Sequence, residues 1–289
     1  QNGNFSELGS ELVTNGDFAT DSDWSKSSGV TIINGKANII GDGSAFTNIT
    51  QSNVFTVGKT YKVVVDVTIN SGLGLKFQDG STNENFGFAT TSGVYTFYGV
   101  ANNTSFVIGR RTGGTAFNSS VNNVSVKQVD PNDRWEAVGN STLNFADFQG
   151  KSQVAKINIT DTSTGSRIRQ PFNYVSGTKY KISVEVYLVS GSFRVDTSNS
   201  FVNINFVSTS TTGSWITLEA TYDAISTGSH YIWLRSSNAV AEFYVSNISV
   251  VEVQGDRPRL SYDITNGVVE KQPHLLLEPS STNLVTFSE

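Results

Sequence analysis

The feature that most constrains this chain is a strand that occurs twice. Tyr61–Gly72 reads YKVVVDVTINSG and Tyr180–Gly191 reads YKISVEVYLVSG, with Tyr, Lys, an acidic position and Ser-Gly in register. Successive side chains of a strand point to opposite faces. Tyr61, Val63, Val65, Val67 and Ile69 therefore share one face, and Lys62, Val64, Asp66 and Thr68 the other. The all-apolar face predicts core, and its duplication predicts two modules that each bury one.

The flanking runs repeat in the same order. VTII (30–33), KANII (36–40) and AFTNIT (45–50) precede the first copy; LGLKF (73–77), VYTFYGV (94–100), TSFVIGR (104–110) and NNVSVKQV (122–129) follow it. In the second half, VAKINIT (154–160) matches KANII and SRIRQPF (166–172) matches NITQSNV, with Ile49/Ile168 and Gln51/Gln170 at the offset of the two tyrosines. Tyr231–Arg235 aligns with Phe106–Arg110, and Asn247-Ile-Ser-Val with Asn123-Val-Ser-Val. A period this long is domain duplication, since solenoid repeats run roughly 20–50 residues.

These boundaries give a flexible lead (1–10), a first module (11–129), a linker at Asp130-Pro131-Asn132-Asp133, a second module (132–253) and an extended connector (254–289). The connector holds Pro258, Pro273 and Pro279. Its end, Asn283-Leu-Val-Thr, echoes Glu11-Leu-Val-Thr, so a further module is expected to begin there. Gly, Ser, Thr and Asn are abundant, alternation is frequent and no sustained helical period exists. The fold class is all-β: two tandem antiparallel β-sandwich modules, with a jelly roll as the expected strand arrangement.

Composition removes several function classes. The net charge is −5 and basic residues are scattered, which gives no footprint for nucleic acid. No apolar run reaches the roughly 18 residues of a membrane span. The chain has 2 His and 0 Cys, too few for a Ser-His-Asp set or a zinc cluster. Asp66 and Glu185 occupy duplicate positions in separate modules, which suits a structural role better than a paired-carboxylate hydrolase. The expectation is a protein that is not an enzyme.

The motif Leu12-Val-Thr-Asn-Gly-Asp-Phe18 followed by Trp24, the central Tyr-x-Val-x-Val strand and the closing Asn122-Asn-Val-Ser-Val126 resemble the jelly-roll carbohydrate-binding-module family. The resemblance covers 11–129 well, and 132–253 only from the KINIT run onward. Pro273–Leu284, PHLLLEPSSTNL, resembles a segment of phage tail and virion structural proteins. Together they imply adhesion modules of a phage tail fibre or virion surface, extracellular, binding host cell-surface glycans and associating with other copies of the chain, as a homotrimer. The alternatives are spacer modules with no ligand, and the accessory region of a secreted polysaccharide-degrading enzyme. Family members hold calcium near the opening motif and the closing strand. Here the matching positions are Ala19, Asn122 and Ser246, so calcium rests on Asp17 and backbone carbonyls in the first module.

Sugars stack on aromatic faces and bond to Asn, Asp, Gln and Arg. Tyr187, beside Glu185 and Ser183 on the non-core face of its strand, is one candidate; the alternative is a surface tyrosine covered by a loop. Tyr231, Trp233 and Arg235 alternate on one face of another strand, with Ile232 and Leu234 on the other. If Ile232 and Leu234 point inward, the three form a platform; if the faces are reversed, Trp233 is core. Phe106, Ile108 and Arg110 stand at the aligned positions of the first module. Trp24 is expected to pack at the sandwich edge, and Trp135 to plug the junction between modules.

Overall fold

A central strand with one apolar face needs hydrogen-bonded neighbours on both edges and a second sheet beneath it. A computed structural model shows how each copy obtains them. It describes residues 3–80, 86–163, 165–197, 207–237 and 239–253 with side chains, and 202–203, 259–265 and 268–276 as backbone.

The first module is built from β1 (Leu8–Glu11), β2 (Ser25–Lys26), β3 (Val30–Ile33), β4 (Lys36–Gly41), β5 (Asn48–Gln51), β6 (Thr60–Ser71), β7 (Leu75–Gln78), β8 (Gly87–Ala89), β9 (Gly93–Val100), β10 (Phe106–Arg110) and β11 (Phe117–Val129). The second uses β12 (Glu136–Val138), β13 (Ser141–Phe148), β14 (Lys151–Ile159), β15 (Arg167–Tyr174), β16 (Lys179–Ser190), β17 (Phe193–Asp196), β18 (Val202–Asn203), β19 (Val207–Thr209), β20 (Trp215–Ala224), β21 (Gly228–Arg235) and β22 (Ala241–Glu252). The sheet orders match strand for strand. β3-β4-β11-β6-β9 corresponds to β13-β14-β22-β16-β20, and β2-β5-β10-β7-β8 to β12-β15-β21-β17-β19. β1 adds to β11, and β18 to β20. The protein is all-β, two antiparallel sandwiches, and among its described residues no helix is long and apolar enough to cross a membrane.

The apolar faces of the central strands are core. Val63 and Val65 are fully buried with Ile49, Phe77 and Ile108 of the facing sheet, and Val184 and Val186 with Ile168, Phe193 and Leu234. The closing strands carry matching register shifts, one between Val121 and Asn123 and one between Val245 and Asn247. Each is a bulge that leaves Asn122 or Ser246 out of the ladder.

The lead does not stand free of the fold. Phe5 is 0 % exposed inside the second module's core, with its ring 5.2 Å from Trp135 and 6.5 Å from Phe145. The backbone N–H of Ile248 donates to Gly3 O at 2.8 Å, as Val124 N–H donates to Gly16 O at 2.9 Å. Phe5 and Phe18 share a left-handed backbone, φ 58 and 54. A Cβ on Gly3 would meet Ile248 O at 2.2 Å, and one on Gly16 would meet Val124 O at 2.3 Å. Phe18 packs on Trp24 at 5.4 Å, as Phe5 does on Trp135. Gly3-Asn4-Phe5 is thus the second module's copy of Gly16-Asp17-Phe18, set ahead of the entire first module. That is why the sequence resemblance lacks an opening motif in the second half. Trp135 is the counterpart of Trp24 in the second module's core cluster, and that cluster takes in Val129 of the first module, with Leu8 and Tyr98 packed against it.

Direct bonds tie the modules together. Tyr98 Oη donates to Asp147 Oδ1 at 2.9 Å, and Lys59 Nζ reaches Asp133 Oδ2 at 2.5 Å. The segment expected to be an extended connector holds a hairpin, β23 (Arg259–Thr265) paired with β24 (Val268–Leu276). The side chains of the PHLLLEPSSTNL motif, with His274, lie outside the described residues, as does the whole of its end.

Candidate functional site

Alternation on β21 decides which face looks outward. Ile232 and Leu234 are buried at 5 % and 0 %, so Tyr231, Trp233 and Arg235 stand together on the outer face. Ladder register adds the neighbours: Trp233 stands between Arg169 of β15 and Asp196 of β17, and Arg235 opposite Arg194. Arg167 lies on the same face of β15, and Glu136 stands beyond it on β12, opposite Arg169.

Each ring carries an arginine. The Arg167 guanidinium lies 4.5 Å from the centroid of Trp233, and that of Arg169 lies 4.1 Å from Tyr231. The forks are then fixed by carboxylates. Arg169 grips Glu136 with Nε at 2.8 Å and Nη2 at 3.1 Å. Arg235 places Nε 2.8 Å from Asp196 Oδ2 and bonds the same oxygen through Nη2. Arg194 Nη2 reaches that oxygen at 2.9 Å, and the Asp196 side chain is only 2 % exposed. His230 sits 5.4 Å from Trp233 and 5.8 Å from Tyr231. Burial, and then the charges of Arg167 and Arg169, hold its imidazole below the usual histidine range. Arg169 pulls the Glu136 carboxyl below its ordinary value. The result is a shallow face of aromatic rings and fixed guanidinium forks.

Tyr187 and Glu185 lie elsewhere, on the outer face of the sheet that holds the central strand. The two-residue turn Gln149-Gly150, with φ 48 and 79, closes β13 onto β14 as a type I′ hairpin. Its flanking residues come down on that face. Phe148 stacks on Tyr244 at 3.8 Å and meets Tyr187 edge-on at 5.0 Å, while Trp215 is 5.7 Å from Tyr187. Lys151 pairs with Glu185 at 2.9 Å and lies 5.2 Å from the Trp215 ring. Ser246 Oγ donates to Glu185 at 2.5 Å, and with Lys151 it depresses the Glu185 carboxyl. Tyr187 is therefore half-buried in an aromatic cluster, with the hairpin tip against it.

Asp17 is exposed, and its carboxylate accepts the N–H of Ala19 at 3.3 Å. Among the described residues no three His, Cys, Asp or Glu side chains gather as a metal site.

The alignment of Phe106–Arg110 with Tyr231–Arg235 is off by one residue. Ile108 pairs with Ile49 and Leu234 with Ile168, so Ile108 corresponds to Leu234 and Val107 to Trp233. A slip of one exchanges the faces of a strand. Phe106 and Ile108 are accordingly core, at 0 % exposure. In the first module the outer positions are Val107 and Gly109, the latter covered by the Phe46 ring. Its Arg110 donates to Gly43 O at 2.8 Å.

Sequence reasoning missed Glu136, Arg167, Arg169, Arg194 and Asp196. Their signal was period-two alternation in Arg167-Ile-Arg169 and in Phe193-Arg-Val-Asp196, which sets charge against core within each short strand.

Fold and site together define a class, a nested pair of antiparallel β-sandwich modules with an arginine-aromatic face on the second. No protein-family model matches the chain, and no curated protein matches it. Among solved structures it is similar to the N-terminal CBM22-1-CBM22-2 tandem domain of Paenibacillus barcinonensis Xyn10C, with 13% identity over 86% of this chain and 99% of that one, TM-score 0.35. It is also similar to the CBM22-1 xylan-binding domain of the same protein, with 18% identity over 42% and 86% and a TM-score of 0.33. A third likeness is to the MgGH51 α-L-arabinofuranosidase, with 12% identity over 42% and 23% and a TM-score of 0.36.

Proposed function

We propose that the chain is a pair of non-enzymatic modules that bind glycans on the outer face of the second module. The observation that carries this reading is the inward turn of Ile232 and Leu234, which leaves Tyr231, Trp233 and Arg235 in line on one outer face. The exposed parts of the rings offer apolar surface to sugar C–H groups, and the guanidinium edges offer donors to hydroxyls. A face this shallow holds one sugar chain weakly, so copy number would raise the affinity. With the phage-like PHLLLEPSSTNL segment, this supports adhesion to host-surface glycans by a tail fibre or virion surface protein that presents several copies. The test is a glycan array probed with the wild type and with Trp233→Ala and Tyr187→Ala. Loss of signal in Trp233→Ala alone is expected; a folded wild type that binds no glycan overturns the reading.

A spacer without a ligand is the second reading. It is favoured by the mutual packing of Phe148, Tyr187, Trp215 and Tyr244, which spends aromatic surface on the fold. The same array decides between the two.

A further inference from the structure

The arginine face has more cation than its own carboxylates compensate. Its strands β12, β15, β21 and β17 carry Arg167, Arg169, Arg194 and Arg235 against Glu136 and Asp196, in a chain whose net charge is −5. Arg169 pairs with Glu136, and Arg194 and Arg235 share Asp196. Arg167 has no carboxylate partner among the described residues, and its Nε is buried without a hydrogen bond. Burial, and then the charges of Arg169 and Arg235, disfavour its charged form and outweigh the more distant pull of Asp196 and Glu136. A partly buried cation stacked on Trp233 with like charges on both sides is costly in the free protein, and an arriving anion relieves that cost.

The geometry also says what kind of anion fits. A guanidinium stacked on a ring keeps its N–H groups in its own plane, and its Nη end can take a carboxylate through two parallel bonds. Arg167 and Arg169 take up part of the ring surface of Trp233 and Tyr231, which curtails recognition by ring stacking alone, the mode nucleobases use. Nucleic acid also calls for a track of cations that neutralises many phosphates, and here one cation lacks a partner.

We propose that this face binds a glycan that carries carboxylates, a uronic-acid polymer, with Arg167 as the carboxylate-binding residue. The proposal rests on the glycan-binding reading and narrows it to one class of sugar. Arg167 clamps the carboxylate end-on, and Trp233 and Tyr231 support the sugar ring beside it.

The experiment is affinity electrophoresis of the full chain through gels containing polygalacturonate, its fully methyl-esterified form, dextran sulfate or dextran, with poly(dT) titrated separately by fluorescence anisotropy. Polygalacturonate is expected to retard the protein, and methyl esterification to weaken this about tenfold or more. Arg167→Gln is expected to lose as much, and Arg167→Lys to recover part of it. Equal retardation by the ester or by dextran overturns the carboxylate proposal and leaves glycan binding standing. Equal or tighter binding of dextran sulfate or poly(dT) overturns it as well, because the face would then read charge alone. Undiminished binding by a folded Arg167→Gln overturns the assignment of Arg167. Should that variant fail to fold, the comparison of acid with ester still decides. Failure of every polysaccharide removes both readings.

Discussion

The ring of Phe5 lies 5.2 Å from that of Trp135, so the start of the chain completes a core that the sequence otherwise reaches only after the first module. Truncating Phe5 leaves a large hole among Trp135, Phe145 and the central strand. Phe5→Ala is expected to cost the second module about 3–5 kcal/mol, the usual range for deleting a buried ring. The first module, whose opening residue is Phe18, should keep its stability. Amide exchange resolved by residue checks this: protection should fall at Val184 and Ile248 and hold at Val65 and Val124. Equal loss in both modules would contradict the nested arrangement.

Glycine substitutions in the same segment separate a required residue from an incidental one. A Cβ at Gly3 would stand 2.2 Å from Ile248 O, a backbone atom that cannot move aside cheaply, whereas the nearest atoms to one at Gly9 are 3.6 Å away. Gly3→Ala should therefore destabilise by about 1–3 kcal/mol, the scale of forced overpacking. Gly9→Ala should be neutral or stabilise by up to about 1 kcal/mol, through loss of freedom in the unfolded chain. Urea unfolding of the two variants side by side is the measurement.

Asp196 anchors two arginines from a nearly dry position. Asp196→Asn leaves Arg194 and Arg235 facing each other without a countercharge, and breaking a buried pair in this way costs about 3–5 kcal/mol. Lys179 and Asp223 provide the contrast, 3.8 Å apart with side chains 54% and 61% exposed. Lys179→Ala should change stability by less than about 1 kcal/mol. If the two substitutions shift the unfolding midpoint alike, the Asp196 cluster does not hold the face together.

Legibility in the sequence followed the range of the interaction. The core faces of β6 and β16 were readable because period-two alternation is local, and Val63, Val65, Val184 and Val186 are buried as it requires. β21 was ambiguous because both of its faces carry large apolar groups; only packing against the facing sheet picks Ile232 and Leu234. The off-by-one alignment of Phe106 with Tyr231 followed from matching Arg110 to Arg235, whereas register is fixed by the partner strands through Ile49 and Ile168. The opening motif of the second module was visible as Asn2-Gly3-Asn4-Phe5 against Asn15-Gly16-Asp17-Phe18. Lying so close together, the two copies look like one local repeat, and nothing local says that the first belongs to a strand beyond residue 240. The cluster of arginines with Asp196 and Glu136 spans four short strands, and no single window contains it.

Proton linkage gives two separate windows for the second module. His230 titrates below its ordinary value of 6.5 in the folded chain, because of burial and the charges of Arg167 and Arg169. As pH falls through about 6.5 the unfolded chain takes up the proton first, so the folded state loses stability until the lower folded value is passed. Glu185 is also depressed, here by Ser246 and Lys151, and a carboxylate of that kind contributes stability above about pH 4.3 that is lost at lower pH. Thermal stability of the wild type should therefore weaken as the pH falls through about 6.5 and again below about pH 4. His230→Gln should abolish the upper step and leave the lower one, while Glu185→Gln should reduce only the lower. An upper step that survives in His230→Gln would place the titrating group outside the arginine face.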